Sequence, residues 1–227
     1  MDRASPLPVT LTLDDEVRVS GLLERPAKAW ALFVMGHGAG AGMRHTFMTQ
    51  VSAAIADLGI ASLRYQYPYM ERNGRRPDPP ALCHATIRAA VMRAAELEPE
   101  LPLIAGGKSF GGRMTSQAQS IDPLPGVRGL AFVGFPLHPP KQPSLARAEH
   151  LSRVQVPMLF LQGTRDALAD AALIRRALEP LADRARLIPI EAADHAFHVP
   201  ARSGRSDGDV IREIAEALAT WTRAIAG

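Results

Sequence analysis

Cysteine, net charge and long apolar runs are all scarce in this chain of 227 residues. The single cysteine, Cys83, excludes an intrachain disulfide and fits a reducing compartment. Lysine and arginine number 26 against 23 for aspartate and glutamate, and the basic residues are scattered, so nucleic-acid binding has little support. No eighteen apolar residues run together, and residues 1–10 lack the apolar centre of a signal peptide. We therefore expect a soluble, cytoplasmic protein with neither nucleic acid nor a membrane as partner.

The chain does have enough apolar sequence for one core. Hydrophobic residues make up 47% of it. At this length one domain buries roughly 70 to 75% of its unfolded surface. We expect a single domain that spans residues 1–227.

Strand and helix patterns alternate along most of the chain. Residues 9–13 and 17–23 alternate apolar and polar side chains around Asp14 and Asp15, which predicts an antiparallel hairpin. Continuous apolar runs then predict buried strands, and 3.6-residue periodicity predicts helices between them. The predicted strands are 29–35, 60–65, 101–105, 127–135, 157–162 and 185–190, and the predicted helices are 47–58, 81–97, a helix from 113, 170–181 and 211–225.

This alternation predicts an α/β fold in which helices cover both faces of a mostly parallel twisted sheet. The expected architecture is a three-layer α/β/α sandwich with an N-terminal antiparallel hairpin. Only about twenty residues separate the strands ending near 135 and starting near 157, which is too short for a large lid.

A serine between two glycines follows the strand at 101–105. Gly107, Ser109 and Gly111 form the pattern G-x-S-x-G, typical of a nucleophile elbow. A serine on so tight a strand-to-helix turn requires neighbours without bulk where strand and helix crowd together. The pattern predicts that the Ser109 hydroxyl is exposed above the sheet.

Two other glycine motifs compete with this interpretation. A phosphate-binding P-loop ending at Gly107 would need a glycine where Pro102 stands, so that motif is excluded. Residues 36–41 match a loose G-x-G-x-x-A dinucleotide fingerprint, but the strand at 60–65 carries no acidic residue for a ribose. Arg64 could suit a 2′-phosphate, so an NADP-binding oxidoreductase stays open as a minor alternative.

Candidate catalytic groups follow several different predicted strands. Ser109 follows one, Asp166 another and His195 the last, and the carboxyl ends of parallel strands share one edge of a sheet. We predict Ser109 as nucleophile, His195 as general base and then acid, and Asp166 as the group that orients His195. Asp194 is next to His195 but should point away from it, and Asp122 lies in a proline turn.

The oxyanion and the substrate need further contacts. The backbone N–H groups of Phe110 and Ala39 are the predicted oxyanion donors, with Gly40 in reserve. The loop at 65–80 should lie beside the site, so Tyr67, Tyr69 and Met70 are candidate substrate-binding residues, although a plain surface loop is an equal alternative for the tyrosines.

With these residues assembled, the chain resembles the α/β-hydrolase superfamily, and within it the small dienelactone-hydrolase-like bacterial serine hydrolases. The resemblance rests on five blocks: 36–40 (GHGAG), 64–69 (RYQYPY), 106–113 (GGKSFGGR), 134–138 (GFPLH) and 161–166 (LQGTRD). It implies a Ser-His-Asp hydrolase that needs no metal or organic cofactor. Dienelactone hydrolases proper use cysteine as nucleophile, so serine here favours simple carboxylesterase activity on a small-molecule ester.

Other functions remain compatible with the same residues. A thioesterase, a lactonase or a peptidase would use the same triad. The group also resembles eukaryotic relatives that are subunits of larger assemblies, which keeps a non-catalytic interaction module open. We expect a monomer or a homodimer.

Overall fold

The structure is a computed structural model, and it describes residues 5–13 and 17–226. The strands of these residues form one eight-stranded sheet in the order β1-β2-β4-β3-β5-β6-β7-β8. They are β1 Leu7–Thr12, β2 Arg18–Glu24, β3 Ala31–Gly36, β4 Ile60–Tyr65, β5 Leu103–Lys108, β6 Val127–Val133, β7 Met158–Gly163 and β8 Ala185–Ile190.

The pairing is antiparallel at one edge and parallel elsewhere. Strand β2 pairs antiparallel with β1 and with β4, whereas the neighbours from β4 to β8 are parallel. This confirms the mostly parallel sheet and its N-terminal antiparallel hairpin. The turn predicted at Asp14 and Asp15 lies outside the described residues.

Helices cover both faces of the sheet. They are α1 Thr46–Asp57, α2 Pro68–Glu71, α3 Pro80–Leu97, α4 Phe110–Ile121, α5 Ala171–Leu178 and α6 Asp207–Ala226, with 3₁₀ helices at Ala146–Arg153, Glu179–Arg184 and Ala201–Ser203. Helices α1 and α6 pack against each other and share one core, and α3 and α4 pack on the other core. The three-layer sandwich is therefore confirmed.

The central strands explain why continuous apolar runs predict burial on both faces. Strand β3 is buried throughout. Its alternating side chains divide between the two cores, with Leu32 and Val34 in one and Phe33 and Met35 in the other. Because successive side chains of a strand point to opposite faces of the sheet, one strand packs against both helical layers.

Several predicted boundaries were wrong for local reasons. Helix α4 begins at Phe110 and not near Arg113, because the elbow leads into the helix without a linker. The predicted helix 170–181 ends as α-helix at Leu178, since Pro180 lacks an N–H and Ala182 has a positive φ of 48°. Helix α2, inside the predicted 65–80 loop, was not predicted.

The segment between β6 and β7 bears on access to the site. Its only helix among the described residues is the 3₁₀ helix Ala146–Arg153, which packs against α4. This agrees with the prediction that the fold has no large lid. No helix in residues 5–13 or 17–226 is long and apolar enough to cross a membrane.

Candidate active site

Ser109 occupies a strained turn between β5 and α4. Its backbone angles are φ 49° and ψ −112°, a region that non-glycine residues rarely adopt and that costs of order 1–3 kcal/mol. A Cβ on either Gly107 or Gly111 would overlap the carbonyl oxygen of Gly36 in β3. The two glycines are therefore needed where β5 and α4 crowd against β3, as the elbow pattern predicts.

The three predicted catalytic side chains form one hydrogen-bonded line. The Nε2 atom of His195 lies 2.9 Å from Ser109 Oγ, and its Nδ1 atom lies 2.7 Å from Asp166 Oδ2. The Asp166 side chain is fully buried, and the His195 side chain is 26% exposed. An accessible imidazole thus joins the hydroxyl to a buried carboxylate.

Asp166 is held in place by two further donors. The Leu168 N–H donates to Asp166 Oδ1 at 2.7 Å, and Gln162 Nε2 donates to Oδ2 at 2.6 Å. The other end of the Gln162 amide accepts from the Phe135 N–H at 2.9 Å. Gln162 was not predicted as part of the site, although a glutamine at the end of an apolar strand is a visible signal.

The competing aspartates have other partners. Asp194 Oδ1 accepts from the N–H groups of Ala196 and His198 at 2.8 and 3.0 Å, so it shapes the loop that carries His195. Asp122 pairs with Arg88 at 2.9 Å on the surface. Neither carboxylate is paired with His195, in agreement with its predicted pairing to Asp166.

The predicted oxyanion donors lie close to Ser109 in the chain or in the fold. Phe110 is the first residue of α4, so its N–H has no acceptor within the helix. Ala39 lines the same cavity as Ser109. The Gly40 N–H donates to the Tyr69 hydroxyl at 2.9 Å, so this reserve donor is already engaged.

His37 supports the loop that carries Ala39. Its Nδ1–H donates to the Gly38 carbonyl at 2.7 Å, and its Nε2 accepts from the Tyr67 N–H at 3.4 Å. Burial lowers the pKa of His37 to about 4, so the ring is neutral near pH 7. This neutral imidazole joins the loop after β3 to the segment after β4.

The residues predicted to bind substrate lie elsewhere. Tyr67 and Tyr69 are 0% and 2% exposed, and neither they nor Met70 lines the cavity at Ser109. The Tyr67 ring packs edge-on against His37 and Phe110, at centroid distances of 5.0 and 5.6 Å. The two tyrosines thus support the loops around the site beneath its surface, and Met70 lies outside the cavity, which corrects the prediction of direct substrate contact.

The cavity that opens onto Ser109 has a volume of about 370 Å³. Its wall includes the small residues of the loop after β3, and its larger apolar side chains are Phe47, Met48 and Leu168. Besides Ser109, the polar side chains that line it are His45, Lys108 and His195.

The arrangement leaves Arg64 no role toward a nucleotide phosphate. Its side chain is 1% exposed, donates to Thr49 Oγ1 at 3.0 Å and lies 3.4 Å from the Glu24 carboxylate. This contradicts the 2′-phosphate alternative. Within residues 5–13 and 17–226, no group of three His, Cys, Asp or Glu side chains is arranged to hold a metal ion.

Comparisons with known proteins agree with this fold. A family model described as an alpha/beta hydrolase domain matches residues 29–223. The structure is similar to a dienelactone hydrolase from Anabaena variabilis, with a TM-score of 0.77 and 21% identity over 98% of this chain and 99% of that one. It is also similar to a serine hydrolase without lid from Xanthomonas campestris, with a TM-score of 0.73 and 18% identity over 96% of this chain and 95% of that one. The esterase domain of a Rhodothermus marinus protein matches with a TM-score of 0.73 and 17% identity over 99% of this chain and 100% of that one.

Proposed function

Because the chain belongs to the alpha/beta hydrolase family, we propose that it is a serine hydrolase of carboxylic esters, of the short-chain carboxylesterase type. The observation that carries the proposal is the hydrogen-bonded line from Ser109 through His195 to Asp166. Nucleophile, base and orienting carboxylate are the three groups that acyl transfer requires, and here they meet at the strained elbow that carries Ser109.

In the proposed reaction, Ser109 Oγ attacks the ester carbonyl carbon while His195 Nε2 takes the hydroxyl proton. Asp166 keeps the imidazole oriented and stabilises the imidazolium that forms. The bond to the alcohol oxygen then breaks, and His195 gives its proton to the leaving alcohol. A water molecule attacks the acyl-Ser109 in the same way, which releases the carboxylic acid and restores the serine.

The negative charge that develops on the carbonyl oxygen needs fixed donors. The N–H groups of Phe110 and Ala39 are our choice, since Phe110 starts α4 and Ala39 lines the cavity while Gly40 donates to Tyr69. Loss of one such donor typically costs about 10²- to 10³-fold in turnover.

The size and wall of the cavity support short esters. A volume of about 370 Å³ with mostly apolar walls accommodates a small acyl group, and no large lid covers it. The names of the similar solved structures, a dienelactone hydrolase and an esterase domain, are consistent with ester substrates. Dienelactone itself is not our candidate, because Ser109 stands where dienelactone hydrolases carry cysteine.

Turnover of an ester series tests this proposal. We expect p-nitrophenyl acetate and butyrate to be hydrolysed with higher kcat/KM than the octanoate, because the cavity is small. Ser109→Ala should lower kcat by about 10⁴-fold or more. Parallel assays with a thioester, a lactone and an anilide show whether another acyl bond is preferred. Faster turnover of the thioester or the anilide than of every ester would contradict the substrate class, whereas faster turnover of the lactone would identify a cyclic ester as the preferred substrate.

A further inference from the structure

Lys108, the residue directly before Ser109, connects three segments around the site. It ends β5, and its Nζ atom donates to the backbone carbonyl of His195 at 2.6 Å. The same ammonium lies 5.1 Å from the ring centroid of Phe197 and 5.7 Å from that of Phe47. The elbow, the start of α1 and the His195 loop therefore meet at one cation.

The two aromatic rings form a platform for that cation. Phe47 and Phe197 stack with centroids 5.4 Å apart and an interplanar angle of 24°. A cation within about 6 Å of an aromatic face is attracted by the ring quadrupole. Lys108 thus has both a hydrogen-bond acceptor and two aromatic contacts that hold its side chain in one position.

The loop that carries His195 needs external anchors. Ala192 and Phe197 on either side of the histidine have positive φ angles of 61° and 65°, which non-glycine residues adopt only under constraint. Asp194 ties the loop to itself through Ala196 and His198. The ammonium of Lys108, by contrast, ties the backbone of the histidine to the strand that carries the nucleophile.

We propose that Lys108 is a positioning residue, whose ammonium fixes the His195 backbone and so keeps the imidazole within hydrogen-bonding distance of Ser109. The inference rests on the proposed hydrolase function, for which it adds a residue outside the triad. Because Lys108 acts through His195, its loss should lower kcat and leave KM for a small ester nearly unchanged.

The charges around Lys108 make this role dependent on pH. Burial lowers the pKa of Lys108, and attraction from Asp166 and Asp194 offsets part of this effect, so that the pKa is about 8. His195 is its other titratable neighbour, and His45 lines the same cavity. Above about pH 8 the neutral amine is a weaker donor and loses its attraction to the rings, so the positioning should weaken.

The stability of the fold should increase with pH over the range in which the activity decreases. The unfolded chain has an ordinary lysine pKa near 10.5, so between about pH 8 and 10.5 it binds more protons at Lys108 than the folded chain. The contribution of Lys108 to stability is therefore complete above that range and is lost as the pH falls through about 8. A loss of activity above pH 8 by this route is thus not a loss of fold.

The test compares full-length wild type, Lys108→Met and Lys28→Met, an exposed lysine that serves as control. Active sites are first counted with a phosphonate probe, and kcat and KM for p-nitrophenyl butyrate are then measured from pH 6.5 to 9.5 after correction for spontaneous hydrolysis. We expect the kcat of the wild type to fall above about pH 8. The kcat of Lys108→Met should be about 10- to 100-fold lower than that of the wild type and should not fall above pH 8. Lys28→Met should match the wild type. The thermal midpoint of wild type relative to Lys108→Met should rise over the same pH range.

The outcomes separate this inference from the function on which it rests. A wild type that neither reacts with the probe nor hydrolyses esters would overturn the hydrolase function, and the positioning role with it. Beside an active wild type, a Lys108→Met variant that keeps the wild-type kcat or the same alkaline fall would overturn the positioning role alone.

Discussion

Asp166 depends on Gln162 for its place beside His195. The Gln162 amide donates to the same carboxylate oxygen that lies 2.7 Å from His195 Nδ1, and it also accepts from the Phe135 N–H. One side chain near the end of β7 therefore joins the chain after β6 to the Asp166 carboxylate. Polar bridges of this kind keep a buried carboxylate in one orientation, because each of its oxygens has a fixed donor.

Replacement of this glutamine gives a first prediction. Gln162→Met should lower kcat by about tenfold, since a hydrogen bond to a charged group is worth about 1.5 to 3 kcal/mol. It should also lower the free energy of unfolding by about 1 to 3 kcal/mol, because the Phe135 N–H is left buried without an acceptor.

The measurement is kcat per probe-titrated active site, together with urea unfolding. Gln142→Met, at an exposed position in the segment between β6 and β7, is the matched control and should change neither quantity. A Gln162→Met enzyme with the wild-type kcat would remove Gln162 from the support of Asp166.

Helix α4 and strand β3 meet at the elbow without space for a side chain. A Cβ on Gly111 would overlap the carbonyl oxygen of Gly36 and lie 2.8 Å from that of His37, and both atoms belong to the backbone. Because backbone on the central strand cannot give way as a flexible side chain does, the helix itself would have to shift. The nucleophile and the His37 loop would shift with it.

Gly111→Ala should therefore destabilise the protein by about 3 kcal/mol or more and abolish most ester turnover. Gly208→Ala is the matched control, since its Cβ would meet only Ser206 Oγ at 3.6 Å in the first turn of α6. Alanine there should be neutral or stabilising by up to about 1 kcal/mol. Urea unfolding of both variants checks the difference, and equal stabilities would contradict the crowding at the elbow.

Elements with strong periodicity and clear ends could be predicted from the sequence. Strands β4 and β8 have their predicted limits, because each is a short, mostly apolar segment. Helix α2 could not be predicted, since four residues are too few to show a period. On α3, Ala94 is buried and Ala95 is exposed, a difference that could not be predicted because neighbouring alanines carry no hydrophobic contrast.

The candidate site divides in the same way. The meeting of Ser109, Asp166 and His195 was predictable because each follows a strand and parallel strands end at one edge. Tyr67 and Tyr69 were wrongly predicted to contact substrate, because their direction depends on packing against His37 and Gly40. The contact of Lys108 with His195 could not be predicted, since it spans 87 residues of sequence.

For the protein as a whole, buried neutral histidines should make the fold sensitive to acid. Burial lowers the pKa of His37 to about 4, and burial together with nearby Arg153 lowers that of His150 to about 4. In the unfolded chain both have ordinary values near 6.5, so the unfolded state binds more protons below that pH. Their contribution to stability is therefore present above pH 6.5 and is lost as the pH falls through about 4.

The loss should amount to about 3 kcal/mol for each histidine by pH 4. His150→Gln is the informative variant, because glutamine does not titrate and can still bond to Ser116, which lies 2.7 Å from His150 Nε2. Urea unfolding at pH 7 and pH 5 should show a smaller loss for this variant than for the wild type. Equal losses would indicate that His150 is charged in the folded protein.

Intact mass after reaction with a phosphonate probe tests the central claim most directly. Wild type, Ser109→Ala and His195→Ala are treated side by side, and ester turnover is measured on the same samples. We expect one adduct on the wild type, no adduct on Ser109→Ala, and loss of turnover in both variants. A folded wild type with neither adduct nor turnover, or an adduct that persists in Ser109→Ala, would contradict Ser109 as the nucleophile of a serine hydrolase.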